Sequence, residues 1–448
     1  MIGRQPFQVN RLSRVFRSAK HAIAAAIPLW DKAAIALTAR RVFMTHHKTK
    51  THPGSLAGVR ILDMATVLAA PSGATMCADH GADVVKLELP DGNDALRHMQ
   101  PIKNGSPLWW KVANRGKRGI TLDVRKPQGR ELLLAMLAQF DVLVENFRTG
   151  SLDRWGLDIA TLHRANPRLI VVRLTGFGQT GPYRARAGFA RVFEAMSGFT
   201  NLTAPAGGAP MHSNYPIGDA VAGIFCAFAI AAEIARLRAD PEARGVEVDL
   251  SATEALFRIL DPLPVEHEQL GLARRGEGNL ATYTAPSNMY RSADGVFFSM
   301  VASSQAVWLR LCMAMGKPQL AEDPRFDSLP HRVAHVHALD AIVSGWFAEH
   351  GFALISQKLE ACEIPFSKVY DIADIEADPH FRAREAIIRL PDADHGSLPA
   401  PCIVPRIIGR DMPVPRTGPA LGEHNAEVYG AMGVSADALA QLRAQGVV

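Results

Sequence analysis

The chain has 448 residues, 48% of them apolar and 21% charged, with 49 Lys+Arg against 44 Asp+Glu. That length exceeds what one hydrophobic core usually supports, and the apolar share excludes an intrinsically disordered chain. Five scattered cysteines with no CxxC pair exclude a disulfide scaffold and a cysteine-ligated zinc site, and they fit a reducing compartment.

Residues 1–50 hold ten Lys/Arg and a single acid, Asp31, for a net +9; the remainder has 39 basic and 43 acidic residues, a net −4. The basic character belongs to this leader, so nucleic acid is not an expected partner of the body. The leader reads as a transit-like presequence, a membrane-surface helix or an extension with little structure. Its apolar run at 22–30 is broken by Pro28, which does not suit a secretory signal. Residues 1–55 are expected to be a mobile extension, and residues 1–50 to be dispensable for folding and catalysis. The expected location is cytoplasmic, with organellar import through the leader as the alternative. The best apolar run, 220–232, stops at Glu233, short of the roughly 18–20 residues a spanning helix needs, so a buried helix is expected and a membrane is not.

From Gly58 onward, short β-rich runs alternate with helical ones. Strands are expected at 59–64, 84–87, 120–123, 142–145, 169–174 and 246–250. Helices are expected at 71–80, with a Pro in the first turn, then at 128–139, 157–165 and 220–237. Near-continuous Val/Ile/Leu strands separated by helices predict an α/β fold with a parallel sheet covered on both faces. The expected division is a large Rossmann-like domain at 56–260, a linker at 261–284, a small α+β domain at 285–385, and a return to the large domain over 386–448.

Three groups of residues carry candidate chemistry. Gly176-Phe-Gly-Gln-Thr-Gly181 is a literal GxGxxG after a strand, but Pro182 and Gly188 interrupt the helix a dinucleotide site requires. Gly176, Gly178 and Gly181 therefore read as a tight loop near a ligand. Asp219, beside Gly218 at the head of the 220–237 helix, suits a helix cap. It equally suits a carboxylate nucleophile, kept ionised by the helix end, with Gly218 and Gly223 leaving space for a carbonyl. Asn114, Arg115, Gly116, Lys117 and Arg118, with Asn146, Phe147, Arg148 and Arg154, sit on loops at strand ends and would suit phosphates. The sequence offers no HExxH motif and no GxSxG elbow, so no metal centre is expected.

In order and spacing, these strings resemble the family III CoA-transferases, the group of formyl-CoA transferase and the carnitine CoA-transferases, with α-methylacyl-CoA racemase a relative. The resemblance runs from about Leu56 to the C-terminus. It is carried by Gly58-Val-Arg-Ile-Leu-Asp63, Gly81-Ala-Asp-Val-Val-Lys-Leu-Glu88, Asn114-Arg-Gly-Lys-Arg118, Asp141-Val-Leu-Val-Glu-Asn-Phe147, Ile217-Gly-Asp219, Asp323-Pro-Arg-Phe326 and Leu421-Gly-Glu-His424. It implies a Rossmann-like large domain, a smaller domain and two chains interlocked as rings. It also implies attack by Asp219 on an acyl-CoA thioester, with coenzyme A as co-substrate and no metal or redox cofactor. The residues matching CoA contacts are Val67, Leu68, Asn114 to Lys117, Asn146 to Arg148, and Arg154. Leu89-Pro90 and Thr175 replace basic contacts found in some relatives, and the glycine-rich flap is represented only by Gly276-Glu-Gly-Asn279. Phe189 stands where the racemases carry a His, and two opposed bases are needed to move a Cα proton, so transfer is expected over racemisation. The expected function is CoA transfer from an acyl-CoA to a carboxylic acid through aspartyl anhydride and aspartyl-CoA intermediates. An acyl-CoA racemase or isomerase and a non-catalytic CoA-binding protein are the alternatives.

Overall fold

The computed structural model describes residues 54–410 and 412–448; the basic leader lies outside the described residues. The described chain forms two compact units. The first holds the residues up to Ser197 with Ser213–Leu260 and Ile387–Val448, and the second holds Gly198–His212 with Asp261–Ala386.

In the first unit, six parallel strands form one sheet: β1 (Arg60–Asp63), β2 (Asp83–Glu88), β3 (Arg118–Thr121), β4 (Val142–Glu145), β5 (Ile170–Thr175) and β6 (Glu247–Ser251). Their order is β3-β2-β1-β4-β5-β6, with Ile61 beside both Val84 and Val142. Ile61, Leu62, Val85, Leu143, Val171 and Val172 are fully buried because helices cover both faces. The strand order reverses between β1 and β4, and in such sheets the crevice beyond the strand ends at that reversal is the usual ligand site.

Helices α1 (Ala69–Asp79) and α2 (Ile217–Ala239) pack closely on one another. A Cβ on Gly73 would lie 2.7 Å from the Cβ of Cys226, and one on Gly223 would lie 2.8 Å from the carbonyl oxygen of Ala69. Only glycine allows this approach. Both helices begin earlier than their sequence signals: α1 starts two residues before Pro71, and α2 starts at Ile217 rather than 220. α2 is long and apolar enough, by length and composition, to cross a membrane. In the first unit, however, it lies against α1 and β5, with Asp219 in its first turn.

The C-terminal segment closes the β3 edge of the sheet. The Gly119 N–H donates to His424 Nδ1 at 3.0 Å, the Thr121 N–H donates to Asn425 Oδ1 at 2.9 Å, and Tyr429 Oη donates to the Thr121 carbonyl at 2.7 Å. These bonds occupy edge groups that would otherwise be open to pairing.

The second unit has a three-stranded antiparallel sheet, Phe366–Lys368, Phe297–Val301 and Ser287–Arg291 in that order. It is packed by Tyr290, Phe298, Trp308, Phe326 and Phe347. The buried Arg332 guanidinium donates to the carbonyls of Ala285 (3.0 Å), Phe326 (3.1 Å) and Ser303 (2.8 Å) and to Gln305 Oε1 (2.8 Å). The stretch read as a linker begins instead with a helix, Pro262–Leu270, with Pro262 at its first position and Gly271 ending it at φ +64°. Those prolines and the glycine are helix punctuation that resembles loop composition. Beyond it, the Gly276 and Gly278 N–H groups donate to the Asn201 and Ala204 carbonyls at 2.9 and 2.8 Å. A Cβ at Gly276 would lie 2.3 Å from Ala204 N, so this glycine is required by backbone contact.

Candidate active site

At the sheet reversal, the loops after β1 and β4 are held from beneath by buried charge. The Lys117 ammonium donates to Asp63 Oδ2 (2.7 Å), the Pro71 carbonyl (2.8 Å) and Asn114 Oδ1 (2.9 Å). Burial pushes its pKa down, and Asp63 pulls against that. Lys86, also buried, donates to the Ala65 carbonyl and lies 3.8 Å from Asp63 and 3.6 Å from Asp94. Asp94 Oδ1 in turn accepts the Val67 N–H at 3.0 Å. Val67 is held at φ +64°, a region that a β-branched residue seldom occupies.

Asn146 ties the second loop to the first. Its Oδ1 accepts the Thr66 N–H and its Nδ2 donates to the Thr66 carbonyl, both at 2.7 Å. Glu145 Oε2 accepts the Phe147 N–H at 2.7 Å, and Oε1 pairs with Arg173 at 2.8 Å. Above this base, Arg148 and Arg154 are exposed. Arg148 makes no ion pair among the described residues, and Arg154 donates only to Ser151 Oγ, at 2.9 Å.

The structure thus brings Val67, Leu68, Asn146, Phe147, Arg148 and Arg154 together at the crevice. It gives Asn114 and Lys117 a different place, inside and beneath it, where the Lys117 ammonium has three acceptors for its three donors. Arg115 is clamped by Asp79 at 2.9 and 2.6 Å, and Gly116 faces Ala78. Both therefore stand at the far end of α1, about 15 Å along an eleven-residue helix. The expectation that the charges of Arg115 and Lys117 meet phosphates is corrected: both are already paired inside the protein.

The glycine loop after β5 is also tied down. The Gly178 N–H donates to Thr175 Oγ1 and the Gln179 N–H to Asp249 Oδ1, both at 2.9 Å. The Gly176 carbonyl accepts from Thr253 Oγ1 at 2.8 Å. Gly178 and Gly181 adopt φ of +83° and +76°. No helix follows until Ala190–Met196, and an acid occupies the Gln179 N–H, so the loop does not cradle phosphate in the dinucleotide manner.

Asp219 lies in the first turn of α2, but it is not the cap: Pro216 holds that position. Along the crossing with α1, Gly223 meets Ala69 and Ser72, and Gly73 meets Cys226, so the two helices run the same way. Asp219, one turn (about 6 Å) back from Gly223, is on the side of the 66–68 loop that precedes α1. Its surroundings raise its pKa to about 6, through burial first and the Glu194 carboxylate second. This corrects the expectation that the helix end holds the group low. The dipole contributes only about 0.3–1 kcal/mol at such a place, and here burial and a like charge outweigh it.

Three neighbouring residues are not singled out by the sequence motifs. Glu194 is 1% exposed and accepts the Gly218 N–H at 3.1 Å. A signal for it exists: it shares the buried face of its helix with Ala190 and Phe193. Tyr215 meets Trp109 in a tilted ring contact, 6.5 Å between centroids, and burial and Asp219 raise its pKa. Asp249, on the edge strand, has no signal apart from the fold. Phe189 stands at the start of the Glu194 helix, exposed. No His/Cys/Asp/Glu group able to hold a metal occurs among the described residues.

Comparison with known proteins accords with this arrangement. The sequence profile of CoA-transferase family III matches residues 56–425. The chain is 36% identical to succinyl-CoA–D-citramalate CoA-transferase of Chloroflexus aurantiacus over 398 residues, 88% of this chain and 98% of that one. It is 32% identical to succinate–glutarate CoA-transferase of Agrobacterium fabrum, over 83% of this chain and 94% of that one. Among solved structures, a CAIB/BAIF family protein from Brucella suis superposes with a TM-score of 0.74 at 29% identity, covering 85% of this chain and 100% of that one. The chain belongs to CoA-transferase family III and is an enzyme of CoA transfer, with coenzyme A as co-substrate.

Proposed function

We propose that this family III enzyme transfers CoA through covalent intermediates on Asp219, and that a dicarboxylic acyl-CoA such as succinyl-CoA is its donor. The donor follows from the succinyl-CoA and succinate named for two relatives. The observation that carries the mechanism is the state of Asp219. Its carboxylate accepts no hydrogen bond among the described residues, and its own N–H is free. The N–H groups of Ile217, Gly218 and Ala220 are taken by the Tyr215 carbonyl, Glu194 and the Pro216 carbonyl. One backbone donor therefore remains beside the nucleophile for a developing oxyanion.

In the proposed sequence, an Asp219 oxygen attacks the thioester carbonyl and the C–S bond breaks. This gives an aspartyl–acyl anhydride and CoA thiolate. The thiolate then attacks the Asp219 carbonyl and releases the donor acid, leaving an aspartyl-CoA thioester. The acceptor carboxylate reverses both steps and regenerates free Asp219. Arg148 and Arg154, with Val67, Leu68, Asn146 and Phe147, would face the CoA. The 114–117 segment, its charges already paired, would contribute through its backbone.

The reading includes a second copy of the chain. Ile224 and Phe228, at 55% and 69% exposure, stand one turn apart on α2 and form an apolar stripe suited to a subunit interface. Sedimentation velocity should give twice the chain mass.

The test of the mechanism is Asp219→Ala, which should lose transfer by orders of magnitude while still binding CoA. Hydroxylamine or borohydride added during turnover should modify Asp219 in the wild type, located by peptide mass spectrometry. Substantial transfer by folded Asp219→Ala would sink the reading. Racemisation is disfavoured because Phe189 accepts no proton. Accordingly, 2-methylacyl-CoA in D2O should keep its mass over many transfer turnovers.

A further inference from the structure

We infer that Asp94 is a positioning residue for CoA: its carboxylate holds Val67 in a left-handed conformation, and that conformation sets the crevice loop for binding. This rests on the reading that Val67 and Leu68 face the CoA. Four non-glycine residues among the described ones have positive φ, namely Val67, Asn104, Glu363 and Glu385, and Val67 alone is β-branched. A branched side chain crowds the backbone most in that region. A residue strained in this way persists only where its surroundings over-determine it, and such residues gather where a ligand is clamped.

The surroundings of Val67 do over-determine it. The Ala65 N–H donates to Asp63 Oδ1 at 3.0 Å, and the Ala65 carbonyl accepts from Lys86. Asn146 takes both backbone groups of Thr66. Asp94 Oδ1 accepts two N–H groups, those of Val67 and Leu96, each at 3.0 Å. A cap for the short turn Ala95–Arg97 accounts for the Leu96 bond, but not for the bond to Val67, 27 residues away. Asp94 is buried, and its second oxygen lies 3.6 Å from the Lys86 ammonium, which keeps the carboxylate in place. Along residues 65–68, the Val67 carbonyl and the Leu68 N–H are left without a partner among the described residues. They are the two ends of one peptide group, the one whose direction the torsions of Val67 set. Released from Asp94, Val67 would return to negative φ and turn that group away.

The experiment is a double-mutant cycle read by CoA binding, without turnover. Asp94→Ala frees the Val67 N–H, so the competent conformation should become a minor one and the CoA dissociation constant should rise about ten-fold. Glycine reaches positive φ with no Cβ penalty, so in the Val67→Gly background the same Asp94→Ala change should cost less than about three-fold. A purely structural role gives a different pattern: Asp94→Ala would lower the urea midpoint and weaken binding by the same factor whichever residue stands at 67. Equal penalties in the two backgrounds, including none in either, overturn the inference. Should Asp94→Ala not fold, Asp94→Asn, a weaker acceptor without the charge, carries the same cycle. Its smaller penalty must still shrink in the Val67→Gly background, and an unchanged one overturns the inference. Hydrogen exchange of residues 65–70 with and without CoA separates the two readings. No protection by CoA means that the loop does not face the ligand, and the reading of Val67 and Leu68 then fails whatever the cycle gives.

Discussion

The two compact units both bury cations, and they satisfy them differently. In the first unit, Lys117, Lys86 and Arg173 each lie against a carboxylate at the end of β1 or β4, between which the sheet order reverses. In the second, Arg332 lies among three carbonyls and an amide oxygen, inside a cage of Trp, Phe and Tyr. The difference teaches which polar interior serves chemistry. Arg332 joins chain segments and nothing more, whereas the paired charges of the first unit fix two loops, one in a backbone conformation that Val67 would not adopt unaided.

The sharpest way to break this contrast is to leave a buried cation without its anion. Asp63→Asn takes the carboxylate from Lys117 and leaves Lys86 with Asp94 alone, and should cost about 3–5 kcal/mol, read from the urea midpoint, with a matching loss of CoA affinity. Adding Lys117→Met should recover part of that cost, since the pair acts as a unit. Arg332→Met should cost less, about 2–4 kcal/mol, because it leaves neutral carbonyls rather than a charge unsatisfied. Hydrogen exchange should then rise in the 285–361 region while the CoA dissociation constant stays nearly unchanged.

Exposed charge marks the opposite limit. Arg148→Gln and Arg154→Gln should each shift stability by less than about 0.5 kcal/mol, yet weaken CoA binding about ten-fold, the scale of one charge-assisted hydrogen bond. The smallest effect concerns Asp219 itself. Its folded pKa, about 6, lies above the ordinary 3.8, so ionising it costs stability as pH rises through that window. Asp219→Asn should therefore melt higher than wild type at pH 7.5 and level with it at pH 4. A lost cap would produce the reverse.

Much of this layout is legible in the amino-acid sequence. The six Val/Ile-rich strands stand within two residues of their sequence signals, because buried parallel strands leave near-continuous apolar runs. The position of Asp219 is legible too, but its electrostatics are not. Those depend on Glu194, which approaches through the packing of a separate helix. For the same reason Arg115 and Lys117 read as free cations: their partners Asp79 and Asp63 lie 36 and 54 residues away in sequence. Pro262 and Gly271 mislead in the other direction, because the residues that start and stop a helix also compose loops.

The seal on the β3 edge has a consequence for how the chain comes into being. Thr121 is bonded to Asn425 across 304 residues of sequence. During synthesis, therefore, the edge strand waits for nearly the entire remaining polypeptide before its last partners emerge. Closing so long a loop is slow, and an unpaired edge in the meantime can pair with another chain. A ribosome-stalled or prematurely terminated product lacking the residues after Leu421 would carry all the parts of the crevice and still be a substrate for chaperones and proteases.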